Sequence, residues 1–591
     1  MCGLMGCCES QAEAAPIVLE GLKRLEYRGY DSAGIASVSD GHLYCRKDVG
    51  KLPEVEAKQG LSHLPGRTAI GHVRWATHGG VTQINAHPHC DCQNEIAVVH
   101  NGIIENCQEL KGGLDRSHRF VSDVDSEIIP HLLADYVHDG SSLSQAVQHT
   151  AERLTGPYAF LAISSLDHGS ILATCNDMPL MVGLGDSGNY VASDLLSFPL
   201  ECGRAIQLEN GEIAVVDANK VTVLDRQGNE ICKAVQEIHA QRQLADMGNH
   251  AHFMLKEILE QPWAISQALL QDRELLRRAT ADILKAESVV FSACGTSRHA
   301  ALLGRYLFSK IGKKFSEVVT GSEFRYFADS ITPGMLVIAM SQSGETADVL
   351  DGVKSARQQG AHVLSVVNRQ DSQLGRLSDD VIHINCGPEI GVAATKSFTA
   401  QLAVLYLLAF SMAGRLDYIE AELRATAPLL DKLVARSIPQ AQALARRLKD
   451  NRECYFIARA SNLHVASEAA LKLKEVAYVH SDGMAAGELK HGTLALIEKG
   501  TPVVAICPHD YTFADMLSNV EEARARGAFI IGVSDRANSL FDEWIEIPTV
   551  AEVLYPLVSI VPLQLLAYYS ALERGLDPDK PRNLAKSVTV R

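Results

Sequence analysis

The chain has 591 residues, of which 47% are hydrophobic and 21% are charged, a composition typical of a globular protein with several domains. Its formal charge of −16 argues against a general affinity for nucleic acid or for a membrane surface. No apolar run reaches the roughly 18 residues of a spanning helix, and no export signal opens the chain. We therefore expect a cytoplasmic protein without membrane or nucleic-acid partners, whose fourteen scattered cysteines are reduced.

The first 238 residues contain short apolar or alternating runs bounded by turn residues, a pattern typical of antiparallel strands. Helical spacing is found at Pro16–Leu25 and Ser126–Tyr136. The predicted strands are Ala69–His72, Glu95–His100, Ala159–Ile163, Ile171–Thr174, Tyr190–Ala192, Ile213–Val216 and Val221–Leu224. We therefore expect an α+β domain over residues 2–238, with helices covering the sheet faces.

A polar stretch without periodicity follows, and we assign residues 239–251 to an interdomain linker. Beyond it, long amphipathic helices alternate with short apolar strands, as in a parallel sheet covered on both faces. The predicted strands are Ser288–Ser292, Met335–Met340, His362–Val367, Val381–Ile384, Glu453–Ala458, Pro502–Ile506, Ala528–Val533 and Trp544–Ile547. The pattern occurs twice, which predicts two doubly wound α/β domains over residues 252–430 and 431–580, and a tail over 581–591.

The chain opens Met1-Cys2-Gly3, and a small second residue such as Cys2 permits removal of the initiator methionine. Removal would place a thiol and a free α-amine on one residue. The amine, with an unperturbed pKa of about 7.7–8.0, could take the proton of the thiol and activate it as a nucleophile. On its own, this segment is more simply explained as an initiator methionine followed by an unremarkable small residue.

Two further segments of the first domain follow predicted strands and carry polar groups. Arg74-Trp75-Ala76-Thr77-His78 combines a guanidinium with hydroxyl and imidazole groups, which suits an α-carboxylate. Asn101-Gly102 offers an amide and a backbone N–H, a suitable oxyanion hole for acyl transfer to a thiol. Asp125 could hold a substrate ammonium group, or it could act as a helix N-cap.

The segment Ser341-Gln342-Ser343-Gly344-Glu345-Thr346 follows a predicted strand and precedes a predicted helix. Its hydroxyls and backbone N–H groups would form a pocket for a phosphate. Cys294-Gly295-Thr296-Ser297 is a second turn of this kind, and neither segment contains the lysine of a nucleotide-hydrolysing P-loop. Ordinary helix caps would also explain these residues, but two such turns in one domain favour a phosphate site.

Glu468, Lys472 and Glu475 are spaced so that they share one face of a predicted helix. They could form an exposed, salt-bridged face or, together with His491, move protons beside a sugar carbonyl. The polar C-terminal segment would ordinarily be frayed, but Lys586 could form a Schiff base with a carbonyl substrate if it lay in a dry pocket.

The cluster His87-Pro88-His89-Cys90-Asp91-Cys92 superficially resembles a metal site. Its spacing fits no standard zinc pattern, and no second ligand pair follows at a suitable interval. We therefore expect no metal here and assign His87 to a structural or substrate-pocket role.

The motifs of the first domain together resemble a known family. Met1-Cys2-Gly3, Leu25–Gly34, Arg74–Gly79 and His100–Asn106 are similar to the N-terminal-nucleophile glutamine amidotransferases. The resemblance implies an αββα fold in which Cys2 attacks the side-chain amide of glutamine, with its own amine as the base. It also implies that Asn101 and Gly102 stabilise the oxyanion. The residues implied to hold glutamine are Arg74, Trp75, Thr77, His78, His87 and Asp125.

The remainder of the chain is similar to paired sugar-isomerase (SIS) domains at Ser341–Thr346, Glu389–Ala393, Glu488–Gly492 and Pro581–Val590. As a whole, the chain resembles the family of glutamine–fructose-6-phosphate aminotransferases. One departure is Ala394, where many relatives carry serine, and we expect it to change sugar affinity only.

The resemblance to that family implies a role for each candidate residue of the sugar site. It implies that His491 opens the sugar ring, that Lys586 forms an imine at C2 and that Glu475 moves the proton between C1 and C2. Lys472 would support the charge of Glu475. The residues implied to bind the sugar phosphate are Thr296, Ser297, Ser341, Gln342, Ser343, Thr346, Val392 and Ala585.

The implied substrates are L-glutamine and D-fructose 6-phosphate, with ammonia passing through an enclosed channel past Trp75. No cofactor is implied, because lysine and ammonia supply the imine chemistry. A homodimer is implied, because His491 can come from the neighbouring subunit in this family. Two alternatives stay open. One is an amidotransferase of the same architecture acting on another phosphosugar, and the other is a regulatory protein whose SIS domains only bind, for which Glu475, His491 and Lys586 would not all be needed.

Overall fold

The computed structural model describes residues 2–76, 79–167, 169–238, 247–370 and 372–588. The candidate residues Thr77 and His78, and residues 239–246 of the expected linker, lie outside the described residues. The chain divides into two compact units, one up to residue 246 and the other Met247–Lys586. Each unit is described by itself below.

The first unit is built on two antiparallel sheets. Its strands are β1 (Gly3–Glu9), β2 (Ser32–Ser39), β3 (His42–Val49), β4 (Thr68–Arg74), β5 (His89–Cys90), β6 (Ile96–Gly102), β7 (Tyr158–Ser164), β8 (Ile171–Asn176), β9 (Met181–Leu184), β10 (Gly188–Ala192), β11 (Arg204–Gln207), β12 (Ile213–Val216), β13 (Val221–Leu224), β14 (Glu230–Ile231) and β15 (Gln236–Glu237). One sheet has the order β15-β11-β9-β10-β1-β4-β2-β3, and the other has the order β14-β13-β12-β8-β7-β6-β5.

Helices cover the outer face of each sheet of the first unit. Leu4 and Ile70 of one sheet share a buried cluster with Leu161 and Ile171 of the other, so the sheets pack face to face. The helices are Ala14–Leu25, Leu52–Gln59, Cys107–Gly113, Ile128–His138 and Leu143–Arg153, the first two on one sheet and the last three on the other. The four layers run helix, sheet, sheet, helix, which is the expected αββα arrangement.

The second unit contains two parallel sheets of five strands each. The strands are β16 (Ser288–Ala293), β17 (Ser316–Thr320), β18 (Met335–Ser341), β19 (His362–Val367), β20 (Asp380–His383), β21 (Glu453–Ala458), β22 (His480–Ala485), β23 (Pro502–Ile506), β24 (Phe529–Ser534) and β25 (Glu543–Glu546). The sheet orders are β17-β16-β18-β19-β20 and β22-β21-β23-β24-β25. If the five strands of each sheet are numbered in chain order, both sheets have the order 2-1-3-4-5. The same topology therefore occurs twice, as the predicted internal repeat requires.

In such a sheet, ligands bind at the carboxyl ends of the strands where the strand order reverses, which is between the first and third strands. In the first sheet those strands are β16 and β18, which pair in parallel with Ala293 opposite Met340. The two turns predicted to bind phosphate follow these strands directly, so they lie side by side at one edge of the sheet.

The helices of the second unit pack on both faces of these sheets. They are Phe253–Leu259, Gln261–Ala268, Arg273–Lys285, Gly295–Lys310, Gly321–Phe324, Ala347–Gln358, Gln373–Arg376, Lys396–Met412, Leu416–Leu448, Asn462–Ala477, Phe513–Arg524 and Tyr555–Glu573. The expected boundary between residues 430 and 431 falls inside the helix Leu416–Leu448. One buried cluster includes Phe291 of the first sheet, Phe456 of the second and Leu566 of the last helix, so the two α/β halves share a core.

One helix departs from the expectation about apolar runs. Among the described residues, the helical segment Glu552–Glu573 is long and apolar enough, by length and composition, to cross a membrane. Buried residues make up 89% of its apolar stretch, because this segment lies in the core of the second unit. Its apolar composition is that of a core helix enclosed on all sides.

The strand predictions are confirmed throughout, with ends shifted by one or two residues. All fourteen cysteines lie in the described ranges, and none of them is joined in a disulfide there.

Candidate active sites

Cys2 directly precedes β1, beside the end of β4. The backbone N–H of Trp75 donates to its Sγ at 3.3 Å. Burial raises the pKa of the Cys2 thiol, and the N–H of Trp75 and the charge of Arg74 oppose this only in part. The thiol is therefore protonated at neutral pH and needs a base before it can act as a nucleophile.

Asn101 is held beside Cys2 by two hydrogen bonds. Its Nδ2 donates to the Cys2 carbonyl at 3.2 Å, while its Oδ1 lies 3.0 Å from His72 Nε2. Burial lowers the pKa of His72 to about 3, so the ring is neutral and its Nε2–H donates to the amide oxygen. This fixes the amide nitrogen toward Cys2, with a second N–H that can point at an oxyanion. Asn101 had been predicted for this role, whereas His72 had not.

Gly102 ends β6 in a conformation that only glycine adopts easily. Its φ is +121°, and a Cβ would lie 2.0 Å from the Pro157 carbonyl oxygen. Any side chain here would push the strand end away from Cys2 and disturb the proposed oxyanion hole.

Two of the residues expected to hold glutamine, Arg74 and Asp125, are fixed by the elements that carry them. Buried Arg74 ends β4, and Asp31 accepts a hydrogen bond from the N–H of Ala76 at 2.8 Å, which fixes the chain after Trp75. Asp125 begins a short 3-10 helix, and its carboxylate accepts the N–H of Ile104 at 2.6 Å. This hydrogen bond joins Asp125 to the chain segment that follows Gly102. A residue that acted only as a helix N-cap would not need such a bond.

His87 is buried behind the thiol site. Its ring stacks on that of His72 with a centroid distance of 4.2 Å, and its Nδ1 accepts the N–H of His100 at 3.3 Å. Burial lowers the pKa of His87, so this imidazole is neutral. The sequence left open whether His87 is a structural residue or part of the substrate pocket, and its contacts favour the structural role.

In the second unit, the turn after β18 gathers three hydroxyl groups. Ser341 Oγ lies 2.9 Å from Thr346 Oγ1 and 3.5 Å from Ser343 Oγ, and it accepts the N–H of Gly344 at 3.0 Å. Thr346 precedes the helix Ala347–Gln358 but makes no side-chain capping bond to it in the described structure. The cap interpretation is therefore the weaker one, and the hydroxyls converge as a phosphate would require.

The sequence of this turn is constrained at one further position. Gly344 has a φ of +66°, and a Cβ here would lie 2.3 Å from the side chain of Ser372. The candidate residue Gln342 belongs to the same turn, and its carbonyl accepts the N–H of Asn368 at 3.1 Å.

A buried charge cluster lies at the neighbouring turn, after β16. Lys472 Nζ lies 2.5 Å from Glu475, 3.4 Å from Glu468 and 3.1 Å from Thr296 Oγ1, to which it donates. The side chains of Lys472 and Glu468 are fully buried, so the interpretation as an exposed, salt-bridged face is wrong. Glu468 also accepts from Thr296 at 2.9 Å, and its other oxygen lies 2.7 Å from His299 Nδ1.

The proton affinities of this cluster suit acid–base work. Burial disfavours the charged form of Lys472, but its two carboxylate neighbours outweigh this and raise its pKa. Burial raises the pKa of Glu475 despite the charge of Lys472. The carboxyl of Glu475 is therefore a stronger base than an exposed glutamate, which suits a group that accepts and returns a proton. Ser297, on the same turn as Thr296, accepts a hydrogen bond from Gln401 at 2.9 Å.

Lys586 is enclosed rather than frayed. Its side chain is 6% exposed, and its Nζ donates to Glu389 Oε2 at 2.6 Å. Glu389 also accepts from the hydroxyl of Ser397 and from the N–H groups of Thr395 and Ser397. Burial would raise the pKa of Glu389, but Lys586 and these donors lower it to about 2. The charge of Lys586 also lowers the pKa of Glu475, as the weakest of several influences on that carboxyl.

Glu257 is a second buried carboxyl next to this ion pair. Its Oε1 accepts the N–H groups of Ile390 and Gly391, at 2.5 and 3.1 Å, and thereby holds the loop that carries Glu389. Burial, opposed by Lys586 and reinforced by Glu389, raises the pKa of Glu257 to about 8. No local sequence signal distinguishes this glutamate, because its partners lie more than a hundred residues away.

The remaining candidates differ in placement. Val392 is buried, and its N–H donates to the Asp579 carbonyl at 3.3 Å, while Ala585 precedes Lys586 directly. His491 ends a short 3-10 helix and is exposed, with no hydrogen bond or ion pair to Glu475 or Lys586 among the described residues. Among the described residues, hydrogen bonds and ion pairs thus join Thr296, Lys472 and Glu475 to one another but do not reach His491.

Family models match both units. The glutamine amidotransferase domain model matches residues 73–198, and the SIS domain model matches residues 282–411 and 447–574. The two SIS matches correspond to the two parallel sheets.

Full-length relatives carry one common name. The chain is 44% identical over 598 residues to glutamine–fructose-6-phosphate aminotransferase (isomerizing) of Pyrococcus horikoshii, with both chains covered completely. It is 38% identical over 614 residues to the protein of that name from Clostridium acetobutylicum, again over all of both chains. Among solved structures, the C-terminal domain of glucosamine-fructose-6-phosphate aminotransferase from Francisella tularensis has a TM-score of 0.53 and 33% identity, and the match covers 57% of this chain and all of that one.

Replacing Asn101 tests the oxyanion hole. We expect Asn101→Ala to lower kcat for glutamine hydrolysis by about 10²–10³-fold with a small change in KM, because the lost donor acts mainly in the transition state. Asn101→Asp keeps an acceptor for His72 but loses the donor, so it should be comparably slow. Steady-state release of glutamate measures both, with Asn219→Ala on an exposed turn as the control. Rates within tenfold of wild type in both variants would contradict the assignment.

Replacing Glu257 tests its raised pKa through stability. Since the folded-state pKa of about 8 lies above the ordinary 4.5, the folded protein binds the extra proton between these values and loses stability as pH rises through this window. The loss is about 1.4 kcal/mol per pH unit. Glu257→Gln removes the titrating carboxyl, and with it this pH-dependent loss of stability, but keeps an acceptor for the two N–H groups.

Thermal unfolding at pH 6, 7 and 8 measures this effect. We expect the melting temperature of Glu257→Gln, relative to wild type, to rise steadily across the series, whereas Glu521→Gln, on the exposed surface of the same unit, should show no such trend. A constant difference between Glu257→Gln and wild type would mean that Glu257 has an ordinary pKa.

Proposed function

The chain belongs to the family of glutamine–fructose-6-phosphate aminotransferases (isomerizing), and we propose the residues through which it carries out that reaction. It converts D-fructose 6-phosphate and L-glutamine to D-glucosamine 6-phosphate and L-glutamate. The observation that carries the residue assignment is the enclosure of Lys586 in the polar interior that contains Glu475 and Lys472. An enclosed lysine beside a carboxyl of raised pKa is the equipment for imine and proton-transfer chemistry on a carbonyl.

In the first unit, we propose that removal of Met1 exposes the amine of Cys2, which takes the proton of the thiol. The sulfur attacks the side-chain amide carbon of glutamine, and Asn101 and Gly102 stabilise the oxyanion. Collapse breaks the C–N bond, releases ammonia and leaves a thioester, which water hydrolyses to glutamate. The proposed glutamine-binding residues are Arg74, Trp75, Thr77, His78 and Asp125, and we propose that His87 supports this pocket from behind rather than touching glutamine.

In the second unit, we propose that the hydroxyl turn holds the phosphate of fructose 6-phosphate and that the turn containing Thr296 and Ser297 contacts the sugar. Val392 and Ala585 line the same site. The hydroxyl-bearing residues of the phosphate site are Ser341, Ser343 and Thr346, with Gln342 between them. The convergence of these hydroxyls at the point where the strand order reverses supports this placement.

Lys586 then forms an imine at C2 of the open-chain sugar, and water leaves. Ammonia from the first unit displaces the lysine and forms the C2 imine of the product nitrogen. Glu475 removes a proton from C1 and returns one to C2, so that the aldehyde forms at C1 and the amine at C2. Lys472 stabilises the carboxylate form of Glu475. No metal or organic cofactor enters these steps.

We propose a cytoplasmic homodimer, in which His491 opens the sugar ring in the site of the neighbouring subunit. The exposure of His491 and its separation from Lys586 within one chain support this arrangement. The domain limits that we propose are residues 2–238, 252–430 and 431–580, with a linker at 239–251 and a closing tail at 581–591.

Isotope transfer tests the whole reaction. Purified protein given fructose 6-phosphate and glutamine with an amide-¹⁵N label should yield labelled glucosamine 6-phosphate, whereas Cys2→Ala should yield neither glutamate nor amino sugar. Cys232→Ser, an exposed cysteine in the same unit, serves as the control. Glutamate without an amino sugar would point to another phosphosugar, and fructose 6-phosphate binding without turnover would point to a regulatory protein.

Mixed dimers test the role of His491. Lys586→Met and His491→Asn should each be inactive alone, but a heterodimer purified through two different tags contains one site with both residues intact. We expect it to recover about half of wild-type activity. A heterodimer no more active than its parents would show that His491 does not act across the interface.

A further inference from the structure

We propose that Cys92, His118 and His131 form a zinc site in the first unit, apart from the thiol site. The sequence around Cys92 predicts no metal site, because its spacing fits no standard zinc pattern and no second ligand pair follows nearby. The fold supplies the partners from elsewhere, since His118 lies on the loop after the helix Cys107–Gly113 and His131 lies on the helix Ile128–His138. One ligand atom from each of the three residues lies within 4.8 Å of the others.

Two of the three ligand–ligand distances lie near those of tetrahedral zinc coordination. With Zn–N of about 2.05 Å and Zn–S of about 2.3 Å, tetrahedral angles place two nitrogen ligands about 3.3 Å apart and a nitrogen and a sulfur about 3.6 Å apart. His118 Nδ1 and His131 Nδ1 are 3.0 Å apart, and Cys92 Sγ lies 3.7 Å from His131 Nδ1. A single ion could therefore reach all three atoms with small side-chain adjustments, and water would supply the fourth ligand on the side where Cys92 is exposed.

The surroundings of the two imidazoles point to a cation between them. His118 Nε2 lies 2.7 Å from Asp135, and buried His131 Nε2 faces Glu127 at 3.8 Å. With a proton on each Nε2, both Nδ1 atoms would have a free lone pair, and a cation between them could bind both. The Nδ1–Nδ1 distance of 3.0 Å brings the two lone pairs close enough for one ion.

The contact between His118 Nε2 and Asp135 is typical of a metal-binding histidine, whose second nitrogen donates to a carboxylate. The backbone N–H of Arg119 also donates to Cys92 Sγ at 3.2 Å, which stabilises a thiolate. A thiolate with two imidazoles is a ligand set that favours zinc over magnesium or calcium.

The proposed zinc would join three segments that are far apart in the sequence. One of them, the loop that contains His118, leads to Asp125, the candidate for the ammonium group of glutamine. The zinc is therefore a structural clamp beside the glutamine pocket, and its loss should destabilise this loop.

Metal analysis of the untagged, full-length protein tests the site. We expect about one zinc per chain, and at least a tenfold loss of zinc content in Cys92→Ser, with Cys232→Ser as the matched control that retains it. Asp135→Asn keeps all three ligands but removes the carboxylate behind His118, and should weaken zinc affinity by about 10–100-fold. Added zinc should raise the melting temperature of the stripped wild-type protein but not that of Cys92→Ser.

Cobalt substitution gives a readout that does not depend on activity or folding yield. Co²⁺ added to stripped protein should give the visible bands of tetrahedral cobalt together with a thiolate charge-transfer band, and Cys92→Ser should lose the latter. The proposal is overturned if stripped wild-type protein binds no stoichiometric zinc, or if Cys92→Ser and wild type give the same cobalt spectrum.

Discussion

The sugar site depends on one buried ion pair, between Lys586 and Glu389. Both side chains are almost fully enclosed, so each loses most of its hydration on folding, a cost of several kcal/mol per ion before compensation. For Glu389, this desolvation cost is offset by the charge of Lys586 and by hydrogen bonds from the hydroxyl of Ser397 and two backbone N–H groups. Removal of either partner would leave an unpaired charge inside the protein, so the C-terminal segment and the loop around Glu389 are stable only together.

Further contacts make the C-terminal segment part of this arrangement. Asp579 accepts the first N–H groups of the helix Phe253–Leu259, at 2.7 and 2.8 Å, and its carbonyl accepts the N–H of Val392. Glu257, on that same helix, holds the loop of Glu389 from the other side. The C-terminal segment, whose composition predicts a frayed tail, is thus fixed at two points. Asp579 binds the loop around Glu389 at Val392, and Lys586 binds it at Glu389. Lys586 is consequently held in one position, which would reduce the entropy lost in reaching the transition state of the proposed reaction.

The fold could be predicted from the sequence because its strands and helices follow from the local spacing of apolar residues. Short apolar runs such as Ile213–Val216 and Pro502–Ile506 became strands with these limits. The sites were predictable where a motif is contiguous, as in Ser341–Thr346. Residues that act through distant partners carry no such signal. His72, Glu257 and His118 are ordinary in their local sequence, and only the packing of separate segments places them beside Asn101, Glu389 and His131.

The duplicated α/β domains divide one task instead of repeating it. The first copy has hydroxyl groups at the carboxyl ends of β16 and β18, where we propose that the phosphate binds. The second copy has Cys507-Pro508 in place of the hydroxyl turn, but its helix Asn462–Ala477 sends Glu468 and Lys472 across to Thr296 of the first copy. In the site that we propose, the hydroxyl groups for the phosphate thus come from the first copy, and the buried lysine–carboxylate cluster comes from the second. Neither copy carries both sets of groups, so the proposed site is complete only because the two copies pack together around a shared core.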